Sequence, residues 1–275
     1  MRPRMILALT QKEMRDALRN RWFIAYASAF VVLSMALALL ILSSASYSGI
    51  SGFGRTAAGL VNLVLFLAPL MGLTLGAQAL AGERERGTLG YLLAQPISVA
   101  EYFASKFLGL ALALAGAIMV GFGLSTLILV LAGNGGGEAF VGLTLLTVLL
   151  AWVSLSLGYL ISSRNRRTAT AFGVAIVVWL FLALAGGLGL MGTAVVLQLG
   201  PGTLLAITIL NPLESYRIAA IYFLRGSLEL LGPAGLVAER RLGDWTGLVL
   251  IAVLLVWLLA PLGLAYRTLG REVRR

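Results

Sequence analysis

The side chains that most enzymes use for catalysis are scarce or missing in this sequence. The chain of 275 residues contains no His and no Cys, which excludes thiol nucleophiles, His-based acid–base catalysis and most soft-metal ligand sets. Its 7 Met residues are scattered along the chain, so a Met-lined copper path has little support. We therefore predict no catalytic residue, no metal site and no cofactor bound by the chain itself.

Charged side chains are confined to short segments that separate long uncharged runs. Only 12% of the residues are charged and the mean hydropathy is +0.97, values typical of a membrane protein rather than a soluble domain. A helix of about 20 apolar residues crosses the ~30 Å hydrocarbon core, and lipid offers the backbone no hydrogen-bond partner. The sequence predicts an all-α integral membrane protein, a single transmembrane domain over residues 1–275, with six helices at 22–43, 59–81, 107–132, 140–162, 169–197 and 246–266.

None of the six predicted helices contains Asp or Glu. An intramembrane protease would need an Asp pair or a Ser/His couple, and a proton- or sodium-coupled carrier usually places an acidic residue at mid-membrane. A membrane enzyme or an ion-coupled carrier is therefore the least supported class, and any energy for work must enter from outside the predicted helices.

Most of the 21 Lys and Arg residues fall on one side of the predicted bundle if both termini share that side. The same side holds the segments 82–106 and 163–168, and the positive-inside rule places it in the cytoplasm. The basic excess thus orients the helices and favours anionic lipid headgroups, whereas no compact basic fold indicates nucleic-acid binding. The exceptions on the other side are Arg55, Arg217, Arg225, Arg240 and Arg241.

The N-terminal residues 3–21 have the pattern of an amphipathic helix in the membrane interface, leading like an elbow into the first crossing. The alternative is a plain basic anchor that only fixes topology. A helical wheel gives an apolar face of Leu7, Met14, Ala17 and Leu18, and a polar face of Lys12, Glu13, Arg15, Asp16, Arg19 and Asn20.

The segment 199–244 is the longest predicted external loop. Residues 203–224 are hydrophobic, but Asn211-Pro212 interrupts them, and Glu214 and Arg217 would lie near mid-bilayer at about 2.5–3.5 kcal/mol each. We therefore predict short surface or re-entrant helices on the non-cytoplasmic side instead of a seventh crossing.

Small residues recur every four positions in two predicted helices. In lipid such stripes let helix backbones approach closely, so the longer stripe predicts a helix–helix seam, within the subunit or between two copies. The shorter stripe can equally reflect the abundance of Gly and Ala. The longer stripe is Gly109, Ala113, Ala117, Gly121 and Ser125, and the shorter one is Ala68, Gly72 and Gly76.

One polar insert, residues 82–106, lies between the second and third predicted helices. Its pattern predicts a helix, a turn and a second helix: Gly87 permits a break, and Pro96 ends the first helix. Ser98 and Glu101 have the spacing of a capping box that begins the second helix.

The same insert combines charge with an apolar cluster. Glu83 and Arg86 are spaced to pair on one helix face. The apolar cluster suits a hydrophobic groove on a soluble partner; alternatively, its leucines fold back into the interface. The cluster consists of Leu89, Tyr91, Leu92 and Leu93.

The segment GERERGTLGYLLAQPISVAEYFASKF (82–107) resembles the characteristic loop of ABC-2-type transporter permeases, E-x-E-x-G-T-L-x-x-L-L-x-x-P-[IV]-S-x-x-E-[YF]-x-x-x-K. Val99-Ala100 depart from it where many members have an Arg after the Ser. KEMRDALRNRWF (12–23) resembles the family's elbow, and NPLESYRIA (211–219) is similar to an element of the permease subunit of the nitrous-oxide reductase maturation transporter. The matching loop residues are Glu83, Glu85, Gly87, Thr88, Leu89, Leu92, Leu93, Pro96, Ser98, Glu101 and Lys106.

This resemblance implies a multi-pass permease of a prokaryotic cytoplasmic membrane without an ATPase domain of its own, in line with the missing Walker A motif. It would pair as a homodimer or with a sibling permease, and dock separate ABC ATPase subunits that use the ATP. The first part of the insert would be the coupling helix. Its function would be export, or alternatively conformational work, without transport, on an external partner in the maturation of a periplasmic copper enzyme.

The resemblance also implies roles for individual residues. Glu83, Glu85 and Arg86 would shape the polar rim of the ATPase contact, and Leu89, Leu92 and Leu93 its apolar anchor. The residues of the predicted external loop would organise short helices near a substrate exit or an accessory protein. Alternatively, Asn211-Pro212 only stops a helix, and Glu214 and Arg217 form a solvated ion pair. Gly87, Thr88, Pro96 and Glu101 complete the candidate coupling set, and Asn211, Pro212, Tyr216 and Arg217 form the external element.

Overall fold

The computed structural model describes residues 3–48, 50–88, 97–131, 137–197, 203, 209–223 and 245–273. The predicted all-α class is confirmed, since the regular structure in these ranges is helical throughout. The helices there are α1 (Pro3–Leu18), α2 (Arg21–Ser48), α3 (Ile50–Glu85), α4 (Val99–Leu131), α5 (Gly137–Arg164), α6 (Thr168–Leu197), α7 (Pro212–Phe223) and α8 (Thr246–Val273).

Six of these helices, α2 to α6 and α8, are long and apolar enough to cross a membrane. This confirms the six predicted crossings, but three of the helices extend further than predicted at one end of the bundle. α3 continues to Glu85, α4 already begins at Val99, and α8 continues to Val273. The added turns contain charged residues, so the edge of an uncharged run marks where the apolar span ends and not where the helix ends.

Two helices, α3 and α5, form the centre of the bundle. Most of their membrane-spanning residues are buried, whereas only about a fifth of those of α2, α6 and α8 are. Exposed large side chains on the outer helices are apolar, for example Val32, Phe181 and Val256. Lipid is the natural surrounding of such a surface, because it is as apolar as the side chains themselves.

The longer stripe of small residues is a seam within the chain. A Cβ added at Gly109 would lie 2.6 Å from the Glu13 Cβ and 2.7 Å from the Thr10 carbonyl oxygen of α1, and one at Gly121 would lie 2.7 Å from the Phe30 ring of α2. Ser34 of α2 also donates a hydrogen bond to the Gly121 carbonyl oxygen at 3.2 Å. The stripe therefore seats α1 and α2 on α4.

The shorter stripe is an even tighter seam, between α3 and α5. A Cβ at Gly72 would lie 2.5 Å from the Ala151 carbonyl oxygen, and one at Gly76 would collide with that of Leu155. Gly158 of α5 makes the reciprocal contact with α3, since a Cβ added there would lie 2.5 Å from the Leu73 carbonyl oxygen. Incidental Gly and Ala richness is therefore the wrong explanation of this stripe.

The short helix α7 is inserted into the bundle. Nine of its twelve residues are buried, and it packs against α3, α5, α6 and α8. That residues 203–224 form no seventh crossing stays a prediction, because much of the segment around α7 lies outside the described residues. For residues 212–223, the burial favours insertion over a surface position.

Replacement of Gly76 by Ala tests the α3–α5 seam. The added methyl group has no space, so we expect a loss of about 1–3 kcal/mol in the free energy of unfolding, typical of overpacking. The matched control is Gly116→Ala in α4, where a Cβ meets nothing within 4 Å and Ala favours the helix by up to about 1 kcal/mol. Thermal unfolding in detergent measures both; equal midpoints would contradict the seam.

Candidate functional site

The candidate coupling residues that the structure describes lie at one end of the bundle, which we call the basic end. It comprises α1, residues 82–88 and 97–106, residues 162–168 and residues 267–273. Contacts from the last turn of α3 join these segments. Four candidate residues of the insert, Leu89, Leu92, Leu93 and Pro96, lie outside the described residues.

Glu83 lies inside the protein and is only 4% exposed. Its Oε1 accepts a hydrogen bond from Lys106 Nζ at 2.6 Å, and its Oε2 accepts one from the Tyr102 hydroxyl. Lys106 also donates to Glu13 Oε2 at 2.6 Å. Glu83 thus pairs with Lys106 and Tyr102, not with Arg86 as its spacing had predicted. We call Glu13, Glu83, Tyr102 and Lys106 the buried charge cluster.

The buried charge cluster fixes α1 to the ends of α3 and α4. Glu13 is buried whereas Leu7 and Leu18 are exposed, so the helical wheel placed Glu13 on the wrong face. Gly109 is the physical reason: it lets α1 approach α4 so closely that the carboxylate of Glu13 reaches Lys106. The packing of α1 on α4 favours a structural role of α1 over the alternative of a plain basic anchor, and its position in the membrane interface stays a prediction.

The charge of Glu13 is stabilised by its partners. Burial raises the pKa of the Glu13 carboxyl, but the attraction and hydrogen bonds of Lys106 and Lys12 outweigh burial and hold the pKa below its usual range. Lys12 donates to the second carboxylate oxygen at 3.1 Å. Both oxygens of Glu13 are therefore satisfied, as a buried carboxylate requires.

Arg84 joins α3 to α5 and α8. Its Nη1 donates to the carbonyl oxygens of Ser162 at 2.7 Å and Asn165 at 3.1 Å, and its Nη2 pairs with Glu272 Oε2 at 2.6 Å. The guanidinium thus contacts two carbonyl oxygens at the end of α5, one of which, that of Ser162, also accepts from the Asn165 N–H at 3.4 Å. Sequence reasoning counted Arg84 only as a cytoplasmic charge and did not assign it a site, although an Arg between two Glu residues was a visible signal.

Glu85 reaches a third neighbour, the beginning of α6. Its Oε2 accepts a hydrogen bond from the backbone N–H of Thr168 at 2.9 Å. A carboxylate at this position caps the helix and interacts favourably with the positive end of the helix dipole. Glu85 is itself exposed, as are Arg86, Gly87 and Thr88.

The chain turns away from α3 as predicted. Gly87 has a positive φ of 70°, a conformation that glycine adopts at little cost, and its N–H donates to the Arg84 carbonyl oxygen at 3.1 Å. The capping box is confirmed: the Ser98 N–H donates to Glu101 Oε2 at 3.1 Å, and the Glu101 N–H donates to Ser98 Oγ at 3.2 Å. It begins α4 itself, so the second helix of the insert is continuous with the third crossing.

The external element holds α7 in place and contacts α5 and α6 near the middle of these helices, at Thr147 and Leu182. Asn211 caps α7 by accepting from the Leu213 N–H at 3.0 Å, and donates to the Leu182 carbonyl oxygen of α6 at 2.8 Å. The Tyr216 hydroxyl lies 2.9 Å from Thr147 Oγ1 of α5. Pro212 occupies the first helical position, where its missing N–H costs nothing.

Glu214 is not the solvated partner of Arg217 that one alternative predicted. It is 9% exposed, and a Cβ at Gly186 of α6 would collide with its carboxylate. Burial raises the pKa of Glu214, and the Arg217 guanidinium, whose Nη1 lies 3.8 Å away, offsets this only in part. The external element is thus packed inside the bundle, except for the half-buried Arg217.

Six apolar helices long enough to cross a membrane, joined at one end by charged side chains, define a multi-pass membrane protein. The chain belongs to the ABC-2 family of transporter proteins, whose sequence pattern matches residues 7–273. It is therefore a multi-pass permease of a prokaryotic cytoplasmic membrane, as the loop resemblance implied.

Two similar proteins show which permeases of this family the chain resembles. The chain is 32% identical over 272 residues to the probable ABC transporter permease protein NosY of Stutzerimonas stutzeri, covering 96% of this chain and 98% of that protein. It is 36% identical over 223 residues to the probable ABC transporter permease protein NosY of Pseudomonas aeruginosa, covering 78% of this chain and 80% of that protein. The predicted resemblance to this group of permeases is confirmed.

Replacement of Glu13 by Gln tests the buried charge cluster. At neutral pH we expect the free energy of unfolding to fall by about 1.5–3 kcal/mol, the cost of losing a hydrogen bond to a charged group. Because the pKa of Glu13 is lower in the folded than in the unfolded chain, this contribution exists above the unfolded value and disappears as the pH falls through the folded value. The difference between wild type and variant should therefore shrink below about pH 4.

Asp16→Asn is the matched control for this measurement. Asp16 lies on the same helix, its side chain is 57% exposed and its ion pair with Lys12 is 3.6 Å long. Exposed pairs contribute about 0–1 kcal/mol, so this variant should unfold like the wild type. A Glu13→Gln variant as stable as Asp16→Asn at neutral pH would contradict the cluster.

Proposed function

We propose that this permease couples ATP hydrolysis by a separate ABC ATPase subunit to movement of its helical bundle, and thereby to substrate export. The observation on which the proposal rests is the last turn of α3. There the exposed residues 85–88 lead into the following part of the insert, while Glu83 and Arg84 connect the same turn to the rest of the basic end. Membership of the ABC-2 family and the names of the two relatives support an ATPase partner.

The insert is the proposed contact with the ATPase. Leu89, Leu92 and Leu93 supply its apolar anchor, and the exposed Arg86 its polar rim. Glu83 holds the insert to the bundle, because a buried carboxylate with two partners is not accessible to a docked protein. The proposed assembly contains two permease copies and two ATPase subunits; ATP is bound by the ATPases, and this chain binds no cofactor.

Replacement of Leu92 by Asp tests the docking role. A carboxylate in an apolar groove is costly to desolvate, so we expect the variant to lose ATPase binding and the stimulation of ATP hydrolysis by the permease. Leu92→Met keeps the apolar volume and should retain both. Co-purification with the co-expressed ATPase and its hydrolysis rate in liposomes measure the effect. Undiminished binding by Leu92→Asp would contradict the anchor.

The proposed orientation places the basic end in the cytoplasm, following the positive-inside rule. The chain has no Cys, so single cysteines can be labelled selectively. Arg166→Cys, at an exposed position of the basic end, should react with a membrane-impermeant thiol reagent only after the cells are opened. Asn134→Cys, between the third and fourth crossings, should react in intact cells. The reverse pattern would overturn the orientation.

A second proposal is conformational work on an external accessory protein, without transport, in the maturation of a periplasmic copper enzyme such as nitrous-oxide reductase. The resemblance of NPLESYRIA favours it, as do the contacts of this element, which connect α7 to α5 and α6. Nucleotide-driven movement of α7 without flux of any solute in liposomes would favour this function; nucleotide-dependent solute flux would favour export.

A further inference from the structure

The three residues at the end of α3 contact three different parts of the bundle. Successive residues of an α-helix point about 100° apart, so Glu83, Arg84 and Glu85 project towards three sides. Glu83 contacts Lys106 of α4, Arg84 contacts α5 and α8, and Glu85 contacts the start of α6. We call these three consecutive residues the hub.

We infer that the hub transmits movement of the insert to the bundle, and that Arg84 is the positioning residue that carries it to α5 and α8. This inference rests on the proposed function and deepens it, because it separates transmission from docking. Residues 86–96 of the insert follow the hub directly in sequence, so a displacement of these residues pulls first on the last turn of α3. Without the hub, that turn could unwind and absorb the displacement, as the ends of helices readily do.

The burial of two hub side chains, Glu83 and Arg84, distinguishes their contacts from ordinary surface ion pairs, whereas Glu85 is exposed. The side chain of Arg84 is 8% exposed, and those of Glu83 and Lys106 are 5% and 6% exposed. Removal of one partner from such a buried pair is costly, because the other charge stays buried without compensation. These contacts therefore resist being pulled apart, which a transmitting element requires. The half-exposed Glu272, 42% exposed, makes the contact that a variant can remove at the least cost to folding.

Arg84 has a geometry suited to this role. Its planar guanidinium places one nitrogen at the carbonyl groups that end α5 and another at Glu272 in the last turn of α8. Lys could not make both contacts in a fixed orientation, since its ammonium group is a single point charge on a flexible stem. Displacement of α3 thus reaches two helices through one rigid group.

The test uses the full chain co-purified with its ATPase in lipid nanodiscs. Spin labels at Val141→Cys and Leu248→Cys, both exposed, report the separation of α5 and α8 at the end opposite the hub. An excess of unlabelled chain ensures that a complex contains at most one labelled copy, so that the distance measured is the one within a single chain. In the otherwise unaltered chain, the distance should change when nucleotide binds. Arg84→Gln should keep ATPase binding but lose this change. The number of solute molecules exported per ATP hydrolysed should fall by roughly 5- to 150-fold, the usual range of coupling between two sites.

Three further variants make the outcome decisive. Glu272→Gln leaves Arg84 on α5 and removes only its charged contact with α8, so it should fold normally and still reduce the distance change. Arg86→Glu should show the opposite pattern to Arg84→Gln, with weaker ATPase binding and an intact response in the complexes that form. Arg15→Gln, an exposed arginine of α1 at the same end, should change neither quantity.

Each result has one interpretation. An undiminished distance change in both Arg84→Gln and Glu272→Gln would contradict the inference that the hub transmits movement through Arg84. Loss of ATPase binding by Arg84→Gln, with an unchanged unfolding temperature, would make Arg84 a docking residue and also overturn it. If the unaltered chain binds no ATPase, the proposed function itself fails, and the inference fails with it.

Discussion

The ammonium group of Lys106 lies between two carboxylates from two different helices, Glu13 of α1 and Glu83 of α3. Three charges that close together are stable inside a protein only if each has hydrogen-bond partners, because desolvation otherwise exceeds the Coulomb attraction. Lys12 and Tyr102 provide the remaining partners. The position of α1, the last turn of α3 and the first turns of α4 all depend on this arrangement, and with them the direction in which the insert leaves the bundle.

Lipid changes which interactions hold the helices together elsewhere. Apolar side chains gain little by leaving a hydrocarbon surrounding, so close backbone approach and interhelical hydrogen bonds replace the hydrophobic effect. Both occur here: Gly72, Gly76 and Gly158 bring α3 and α5 together, and the Trp152 indole of α5 donates to the Ala111 carbonyl oxygen of α4 at 2.9 Å. The apolar middle of the bundle is thus joined by small residues, whereas its basic end is joined by charges.

The local features of this fold could be predicted from the sequence, and the contacts between distant segments could not. Uncharged runs reveal six crossings, Ser98 and Glu101 reveal a cap, and Gly87 a turn, because each depends on residues a few positions apart. Glu13 was placed on the polar face because a helical wheel takes no account of Lys106, which lies 93 residues further along the chain. Arg84 was missed for the same reason, since its partners are 78 to 188 residues away.

The two ends of the bundle are connected through the same two helices. α5 and α6 are held at the basic end by Arg84 and Glu85, and nearer their other ends they are joined to α7 by Tyr216 and Asn211. α5 has 28 residues, and its contact with α7 at Thr147 lies about 26 Å from Arg164 at 1.5 Å per residue. A tilt of α5 by about 5° about its basic end would move this contact by roughly 2 Å at that length, so a change in the tilt of α5 displaces α7. Transmission of this kind requires helices that tilt without bending. The close packing of α3 against α5 at Gly72, Gly76 and Gly158 favours such a rigid movement.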